Sequence, residues 1–292
     1  MKICSIDNPF GAPVYYRETV SSTMDEARLL ASRGEVHGAV IAAGFQEAGR
    51  GRGLERRWEA GRGENLLFTI LLRYAGFGLV PGALTLRAGL AVSLAVEDFA
   101  PELKGRVLVK WPNDIMLLET RDSADTAFKT AGILAESVAD ASGCVVYIGV
   151  GVNLAQTEFP AAVRARAASL LLARQSLLPC GGKAVAYTGE DRFRLLEKIL
   201  ARLYREIAGT RPPGAWRARL EERLYRRGER VCFFPGGADT GQRVEGVLSG
   251  IGGDGELLVM ADGETESRAF ITGELDVYRD TARPDNYLDF NT

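Results

Sequence analysis

Between two short apolar runs, residues 36–45 and 66–72, the chain carries QEAGRGRGLERRW, residues Gln46–Trp58. Apolar runs of this length predict buried strands. Four arginines and three glycines fall within residues 49–57. Glycine lets a backbone bend close to a ligand, and arginine presents a planar fork of donors to carboxylate or phosphate oxygens. The segment therefore predicts a loop that closes over an anion; a solvated basic loop and an RNA-binding RG segment are the alternatives.

Three further segments carry lysine or glycine in apolar surroundings. They are VKWPND (Val109–Asp114), GILAE (Gly132–Glu136) and GVGVN (Gly149–Asn153). A lysine that emerges from an apolar strand is costly unless it meets a negative charge, although an ordinary strand end with an amphipathic lysine has the same pattern. Glycine within a strand permits a ligand to lie flat against the sheet. GVGVN is not a dinucleotide-binding motif, because the third glycine and the following helix are missing.

Periodicity and capping residues predict the other elements of this region. Ser21-Ser22-Thr23 precedes acidic residues and favours a helix start. Thr188 to Asp191 opens a second helix through Ile207. Further helices are predicted at 83–99 and 216–225, and further strands at 107–111, 132–138 and 144–152. Residues 120–130 are polar and irregular, and predict a flexible hairpin loop.

The pattern changes at Gly228, where short strands separated by glycine and aspartate turns begin. Strands are predicted at 230–234, 242–251, 256–260 and 267–270, with a strong turn signal at 252–255. About fifty residues of this kind suit a small all-β barrel. The predicted organisation is a catalytic domain at 1–227, a barrel at 228–280 and a loose tail at 281–292.

Composition narrows the classes of function. The chain of 292 residues has a formal net charge of −2, so no overall basic field gathers nucleic acid. His37 is the only histidine, which excludes a multi-histidine metal site and favours a turn or strand-edge position. No signal peptide or uninterrupted apolar stretch of about 18 residues is present, so we expect a cytoplasmic protein without a membrane span. Reduced thiols are expected at the four separated cysteines, Cys4, Cys144, Cys180 and Cys232.

The order and spacing of the segments are similar to those of the biotin protein ligase family. That family carries a G-R-G-R-x-x-R-x-W loop, a K-W-P-N-D strand, a G-I-L-x-E strand and an I-G-x-G-x-N segment, after an S-T-N turn that Ser22-Thr23 matches. The motifs cover residues 16–153, and the resemblance continues more weakly to Tyr278. It implies an α+β fold with a mixed sheet flanked by helices, like a class II aminoacyl-tRNA synthetase or biotin ligase catalytic domain, and a small C-terminal SH3-like β-barrel.

The resemblance implies that the chain adenylates biotin with ATP to biotinoyl-5′-AMP and transfers biotin to a lysine of a carrier protein. It implies catalytic roles for Lys110, Arg50 and Arg52, with Lys110 neutralising the biotin carboxylate and then the adenylate. Ser22, Thr23 and Gln46 are expected to hydrogen-bond the ureido ring. The full biotin-binding set implied is Ser22, Thr23, Met24, Gln46, Arg50, Gly51, Arg52, Lys110 and Gly132. The implied adenylate-binding set is Arg52, Arg56, Trp58, Asn113 and Asn153.

Three features depart from the family pattern. Met24 replaces the usual asparagine, which removes a polar group from the turn. Five residues separate Arg52 from Trp58 where the family usually has four, so either Arg56 or Arg57 takes the place of the third arginine, and we favour Arg56. Residues 119–129 are longer than usual, and we expect a surface insertion there.

The resemblance also implies the substrates and partners. ATP enters with Mg²⁺ as a substrate complex, biotin is the second substrate, and no tightly bound prosthetic group is expected. The partner is a biotin carboxyl carrier protein, or the carrier domain of acetyl-CoA carboxylase or another biotin-dependent enzyme. Because the motifs begin at about residue 16, we expect the single-function form without a DNA-binding domain, as a monomer or homodimer.

Two other functions compete with this interpretation. A lipoate or octanoate ligase shares the fold, but its R-R-x-S-G-G-G-x-V motif is absent and K-W-P-N-D is present. An RNA-binding protein is disfavoured by the single RG cluster and the acidic balance. If the resemblance holds, Lys110→Ala and Arg52→Ala each impair biotin adenylation, and wild-type rates of pyrophosphate release in both variants would contradict it.

Overall fold

A computed structural model describes residues 1–53, 57–121, 124–141, 143–179, 182–208, 212, 214–237 and 241–276. The chain divides into two compact units, one spanning Met1–Tyr225 and one that begins at Arg226. The predicted tail at 281–292 lies outside the described residues.

The large unit is built on an eight-stranded sheet in the order β1-β2-β3-β4-β8-β7-β6-β5. Its strands are β1 (Lys2–Cys4), β2 (Val14–Val20), β3 (Val40–Gln46), β4 (Leu66–Tyr74), β5 (Val107–Lys110), β6 (Asp114–Arg121), β7 (Ala124–Asp140) and β8 (Gly143–Val152). β2 pairs with β3 in parallel, whereas the other neighbours pair antiparallel. The predicted mixed sheet with helices is therefore confirmed.

The helices are α1 (Thr23–Ser32), α2 (Leu84–Phe99), α3 (Ala161–Arg164), α4 (Leu170–Ser176), α5 (Gly189–Ile207) and α6 (Ala215–Glu221). α1 and α5 begin where the capping residues predict, α2 and α6 lie in predicted helical segments, and α3 and α4 are not predicted from the sequence. The Ser22 side chain accepts a hydrogen bond from the Met24 amide at the start of α1. Thr188 and Asp191 form a reciprocal capping box at the start of α5. Both starts follow from local chemistry, because the cap satisfies amides that have no partner within the helix.

The segment Phe77–Phe99, which contains α2, is long and apolar enough to cross a membrane by length and composition. Arg87 interrupts this segment, which is why the sequence predicts no span. More than half of its most apolar window, 56%, is buried inside the protein. Gly89 brings α2 close to the sheet, since an added Cβ there would lie 3.3 Å from Val109 Cγ1. Packing in the core accounts for its apolar composition.

The prediction of a flexible hairpin loop at 120–130 is wrong in its extent. β6 continues to Arg121 and β7 begins at Ala124, so most of this segment belongs to a paired antiparallel hairpin. The expected surface insertion at 119–129 is wrong at Glu119, which is buried. At the other end, Lys129 is partly exposed and lines a pocket. Cross-strand hydrogen bonds satisfy the backbone here, which polar composition alone does not reveal.

The small unit holds a five-stranded antiparallel sheet in the order β12-β11-β10-β9-β13. Its strands are β9 (Arg230–Pro235), β10 (Val244–Ile251), β11 (Leu257–Ala261), β12 (Arg268–Phe270) and β13 (Gly273–Asp276). Four of these strands are predicted from the sequence, and β13 is not. Gly273 has a φ of +151° and lies against the Phe233 ring, so the start of β13 requires a residue without a side chain.

The histidine and the described cysteines are structural. His37 lies in the turn before β3, where its Nδ1 accepts a hydrogen bond from the Arg73 amide at 3.0 Å. Cys4, Cys144 and Cys232 are free thiols. Cys180 lies outside the described residues.

Candidate active site

The arginine–glycine loop faces β7 and β8 across a narrow pocket with a cavity volume of about 50 Å³, which is partly open to solvent. The pocket is lined by Ser22, Thr23, Met24, Gln46, Arg50, Gly51, Arg52, Trp58, Asn113, Lys129, Gly132, Ile133, Leu134, Gly149, Val150 and Gly151.

One wall of the pocket is a hydrogen-bonded chain of polar side chains at the start of α1. Gln46 Oε1 accepts hydrogen bonds from the Thr23 amide at 2.8 Å and from Thr23 Oγ1 at 3.0 Å. Thr69 Oγ1, on β4, donates to Thr23 Oγ1 at 2.9 Å. Thr69 and Ser22 are fully buried, at 0% and 1% exposure. The sequence predicts Ser22, Thr23 and Gln46 for this wall but gives no indication of Thr69, which is one polar residue in an otherwise apolar strand.

The loop is held at its base and by one arginine. The Trp58 amide donates to the Gly49 carbonyl at 3.0 Å. Arg50 Nη2 donates to Asp25 Oδ1 at 2.6 Å, and the same oxygen accepts from Arg28 Nη1 at 2.9 Å. Arg28 also pairs with Glu136 on β7. Because Asp25 lies in the first turn of α1, this ion-pair chain connects the loop to the helix and the sheet.

The opposite wall is bare backbone at glycine positions of β7 and β8. A Cβ added at Gly151 would lie 2.5 Å from the Trp58 ring, and one at Gly132 would lie 3.0 Å from it. These glycines therefore let the indole lie directly on the sheet. Trp58 Nε1 is buried and makes no hydrogen bond to any described residue.

A lysine that the sequence does not predict lies in the pocket. Lys129 Nζ is 2.6 Å from Asp114 Oδ1 and 5.7 Å from the centre of the Trp58 ring. Its position follows from a β-bulge between β6 and β7, where Ile115 pairs with Ala131 but Met116 pairs with Lys129. A bulge adds one residue and reverses the alternation of side chains. Lys129 therefore shares a face with Gly132, although strict alternation would place them on opposite faces.

Most of the predicted site residues line this pocket, and among the described residues Lys110 and Asn153 do not. Lys110 is buried, at 8% exposure, opposite Asp114 in the register of β5 and β6, and it lies outside the lining. Asn153 is buried behind the pocket, where its Nδ2 donates to the Ala168 carbonyl at 3.3 Å. Arg56 lies outside the described residues. The predicted roles of these three residues stay predictions.

Asn113 combines a structural contact with a place in the lining. Its Nδ2 donates to the Ile133 carbonyl at 2.9 Å, and the Ile133 amide donates back to the Asn113 carbonyl at 2.9 Å. This reciprocal pair fixes the turn after Pro112 against β7. The described residues include no cluster of three or more His, Cys, Asp or Glu side chains that could hold a metal ion.

An apolar cluster lies behind Met24, and Tyr147 is its polar member. The Arg28 guanidinium lies 5.8 Å from the centre of the Tyr147 ring. Burial raises the pKa of Tyr147 above its ordinary value, and the charges of Arg28 and Arg73 oppose that effect. The phenol is therefore neutral at neutral pH and acts as a packing group for α1.

Comparison with known proteins places the chain in a family. The model of the Biotin/lipoate A/B protein ligase family matches residues 16–153. The Biotin--[acetyl-CoA-carboxylase] ligase of Mycobacterium tuberculosis is 30% identical over 251 residues, which are 85% of this chain and 83% of that protein. The chain belongs to the biotin protein ligases of the biotin/lipoate A/B protein ligase family.

Two further proteins are similar to this chain, one in sequence and one in structure. The Bifunctional ligase/repressor BirA of Bacillus subtilis is 31% identical over 163 residues, 55% of this chain. The matched part spans about half the length of that relative, 46%. The structure of biotin protein ligase from Aquifex aeolicus in complex with biotin and ATP matches with a TM-score of 0.67 and 22% identity, and covers 90% of this chain and 97% of that one. The last likeness establishes the fold.

Proposed function

We propose that this protein is an ATP-dependent biotin protein ligase. In the proposed reaction it adenylates biotin to biotinoyl-5′-AMP, then transfers biotin to a lysine of a biotin carboxyl carrier protein. The observation that carries the proposal is one pocket with neutral hydrogen-bonding groups on one wall and the cations of Lys129, Arg50 and Arg52 around it. Biotin combines the same two features, a neutral cyclic urea and a carboxylate.

The polar wall suits the ureido ring. Ser22, Thr23 and Gln46 offer hydroxyl and amide groups from a largely buried surface. Buried polar groups discriminate strongly, because a ligand without matching groups leaves them unpaired. Met24 is 3% exposed and adds an apolar surface for the ring carbons.

The cations suit the acidic end of the substrate. In the proposed first step, a carboxylate oxygen of biotin attacks the α-phosphorus of ATP, a new P–O bond forms, and pyrophosphate leaves. Two unit charges about 4 Å apart repel by roughly 4 kcal/mol at an effective dielectric of 20. Lys129, Arg50 and Arg52 offset this repulsion and stabilise the charge that develops during the displacement. Lys129 lies beside the glycine wall, with Nζ 3.5 Å from a Cβ added at Gly132.

Mg²⁺ accompanies ATP as part of the substrate complex and supplies charge neutralisation to the phosphates. Trp58 and Asn113 are the lining residues that we assign to the nucleotide. The loop closes over the adenylate, a mixed anhydride that water would hydrolyse. In the second step, the amine of the carrier lysine attacks the acyl carbon, an amide bond forms and AMP leaves.

The small unit is proposed to be an SH3-like barrel. Its strands β9 to β12 form a meander, and β13 returns to the free edge of β9, which leaves β12 and β13 at the two outer edges. Side chains at 0–3% exposure, among them Val231, Phe233 and Leu275, supply a core for closure. Nuclear Overhauser contacts between β12 and β13 would establish a closed barrel. We place the protein in the cytoplasm, in keeping with the free thiols of the three cysteines that the structure describes.

The test is substrate-dependent release of pyrophosphate from ATP, followed by transfer of labelled biotin to a carrier domain. We expect release with biotin, little with lipoate or octanoate, and labelling of the carrier only when its acceptor lysine is present. A carrier with that lysine changed to arginine is the control. Preference for lipoate or octanoate would make the protein a lipoate or octanoate ligase. Absence of both biotin-dependent pyrophosphate release and biotin transfer would overturn the proposal.

A further inference from the structure

The hydrogen bonds of the polar wall have directions that elementary chemistry fixes. Gln46 Oε1 is a carbonyl oxygen and can only accept, so the Thr23 hydroxyl at 3.0 Å must give it its single proton. The Thr69 hydroxyl at 2.9 Å must then donate to Thr23 Oγ1, because Thr23 has no second proton. The two hydrogen bonds therefore point the same way: the Thr69 hydroxyl donates to Thr23, and the Thr23 hydroxyl donates to Gln46.

This chain determines what Thr23 can offer to a ligand. A hydroxyl has one proton and two lone pairs. Gln46 takes the proton of Thr23, and Thr69 occupies one lone pair, which leaves one lone pair on a side chain that lines the pocket. Thr23 is therefore fixed as an acceptor, suited to an N–H group of the ligand.

The neighbouring groups have hydrogen atoms to donate. Gln46 Oε1 already accepts twice, which leaves its Nε2 hydrogens for a ligand acceptor. Ser22 Oγ accepts from the Met24 amide at 3.2 Å, which directs its hydroxyl proton elsewhere. An acceptor beside two donors matches a cyclic urea, in which ring N–H groups flank a carbonyl oxygen. It does not match an apolar ring or an alkyl chain.

Because of Met24, selection between ligands depends on the hydrogen-bonded hydroxyl groups of the wall. Its Sδ lies 3.0 Å from a Cβ added at Gly149, and Thr69 Oγ1 lies 3.5 Å from the same point. A thioether is only a weak acceptor. With Met24 in place of an amide side chain, the hydroxyls and Gln46 hold the strong hydrogen-bonding groups on this wall.

We propose that Thr69 is a specificity-determining positioning residue, which holds the Thr23 hydroxyl as an acceptor for a ureido N–H of the substrate. The inference rests on the proposed function and extends it to a residue on β4. Loss of the Thr69 hydroxyl would free the rotation of the Thr23 hydroxyl and remove a partner inside a buried chain, where hydrogen bonds reinforce one another.

The first test compares Thr69→Val, which keeps the shape and removes the hydroxyl, with Thr69→Ser, which keeps the hydroxyl. We expect Thr69→Val to raise the KM and the Kd for biotin about tenfold, the size of one hydrogen bond, with kcat changed less than about threefold. Thr69→Ser should stay within about twofold of wild type. Thr69→Ala serves as a second hydroxyl-free variant if Thr69→Val does not fold.

The second test uses biotin methylated at one or the other ureido nitrogen as a chemical double-mutant cycle. For the analogue that lacks the N–H facing Thr23, Thr69→Val should cause no further loss of binding. Equal biotin affinity in wild type and Thr69→Val, or the same loss with biotin and both analogues, overturns the inference while the proposed function stands. A wild-type protein that binds no biotin in calorimetry overturns both.

Discussion

The two halves of the pocket differ in how they are held. The sheet half consists of Thr69, Lys129 and the glycines of β7 and β8, all on paired antiparallel strands, with one bulge beside Lys129. In the described part of the loop half, backbone hydrogen bonds of Glu47, Ala48 and Trp58 hold the base. Beyond the base, Arg50 forms an ion pair with Asp25, and these two side chains are 41% and 45% exposed. Exposed ion pairs contribute little to stability. The rigid half is therefore suited to recognition, and the weakly held half to closure over a bound anion.

The largest effect is expected at Lys129, the cation of the rigid half. Lys129→Met leaves Asp114 and the substrate anions without that charge, so kcat/KM for biotin-dependent pyrophosphate release should fall about 100-fold or more, roughly 3 kcal/mol. Lys104→Met is the matched control, since Lys104 is exposed and lies outside the pocket lining, and kcat/KM should stay near the wild-type value. An equal loss in the two variants would contradict a role specific to the Lys129 charge.

A smaller effect is expected where the two halves touch. Gly151→Ala would place a methyl group 2.5 Å from the Trp58 ring, so the indole must leave the sheet. We expect kcat/KM about tenfold lower and a changed tryptophan emission. Gly253→Ala is the control, since an added Cβ there meets nothing within 4 Å. It should match wild type in kcat/KM and in tryptophan emission. Unchanged emission in Gly151→Ala would show that Trp58 does not rest on this glycine.

Weakening the ion pair that anchors the loop to α1 should have a modest effect. Asp25→Asn weakens the ion pair with Arg50, so trypsin should cut the loop about two- to fivefold faster, in line with an exposed pair of up to about 1 kcal/mol. Glu26→Gln is the matched control, because Glu26 lies in the same helical turn but pairs with Arg17. Equal cleavage rates in the two variants would remove Asp25 as an anchor.

The smallest effect concerns stability and lies outside both halves. Two hydrogen bonds from Arg202 hold the pKa of Asp98 below its usual range. A lowered folded-state pKa stabilises the fold above the unfolded-state pKa of about 3.9, and this is lost as pH falls through the folded-state value. Because the pair is half-exposed, Asp98→Asn should lower Tm by about 1–3 °C at pH 7, with full activity.

The Tm difference should shrink below about pH 4. Asp254→Asn, an exposed turn residue, is the control and should leave Tm unchanged at both pH values. A Tm difference between Asp98→Asn and wild type that is as large at pH 3 as at pH 7 would contradict the electrostatic origin.

Local chemistry in the sequence determined much of the fold. The cap at Ser22, the capping box at Thr188 and the apolar runs before and after the loop each depend on near neighbours, so they could be predicted. The resemblance in motif order and spacing also predicted one site for Ser22, Thr23, Gln46, Arg50 and Arg52, and these residues line one pocket. These residues lie in or beside elements that short-range rules identify.

Only the tertiary structure showed that Lys129 reaches the pocket. A period of two assigns faces along a strand, but one inserted residue reverses the assignment, and the bulge that brings Lys129 to the face of Gly132 exists only in the pairing of β6 with β7. The role of Thr69 could not be predicted for a similar reason. Its hydroxyl belongs to the site only because it donates to Thr23, a residue 46 positions away in sequence.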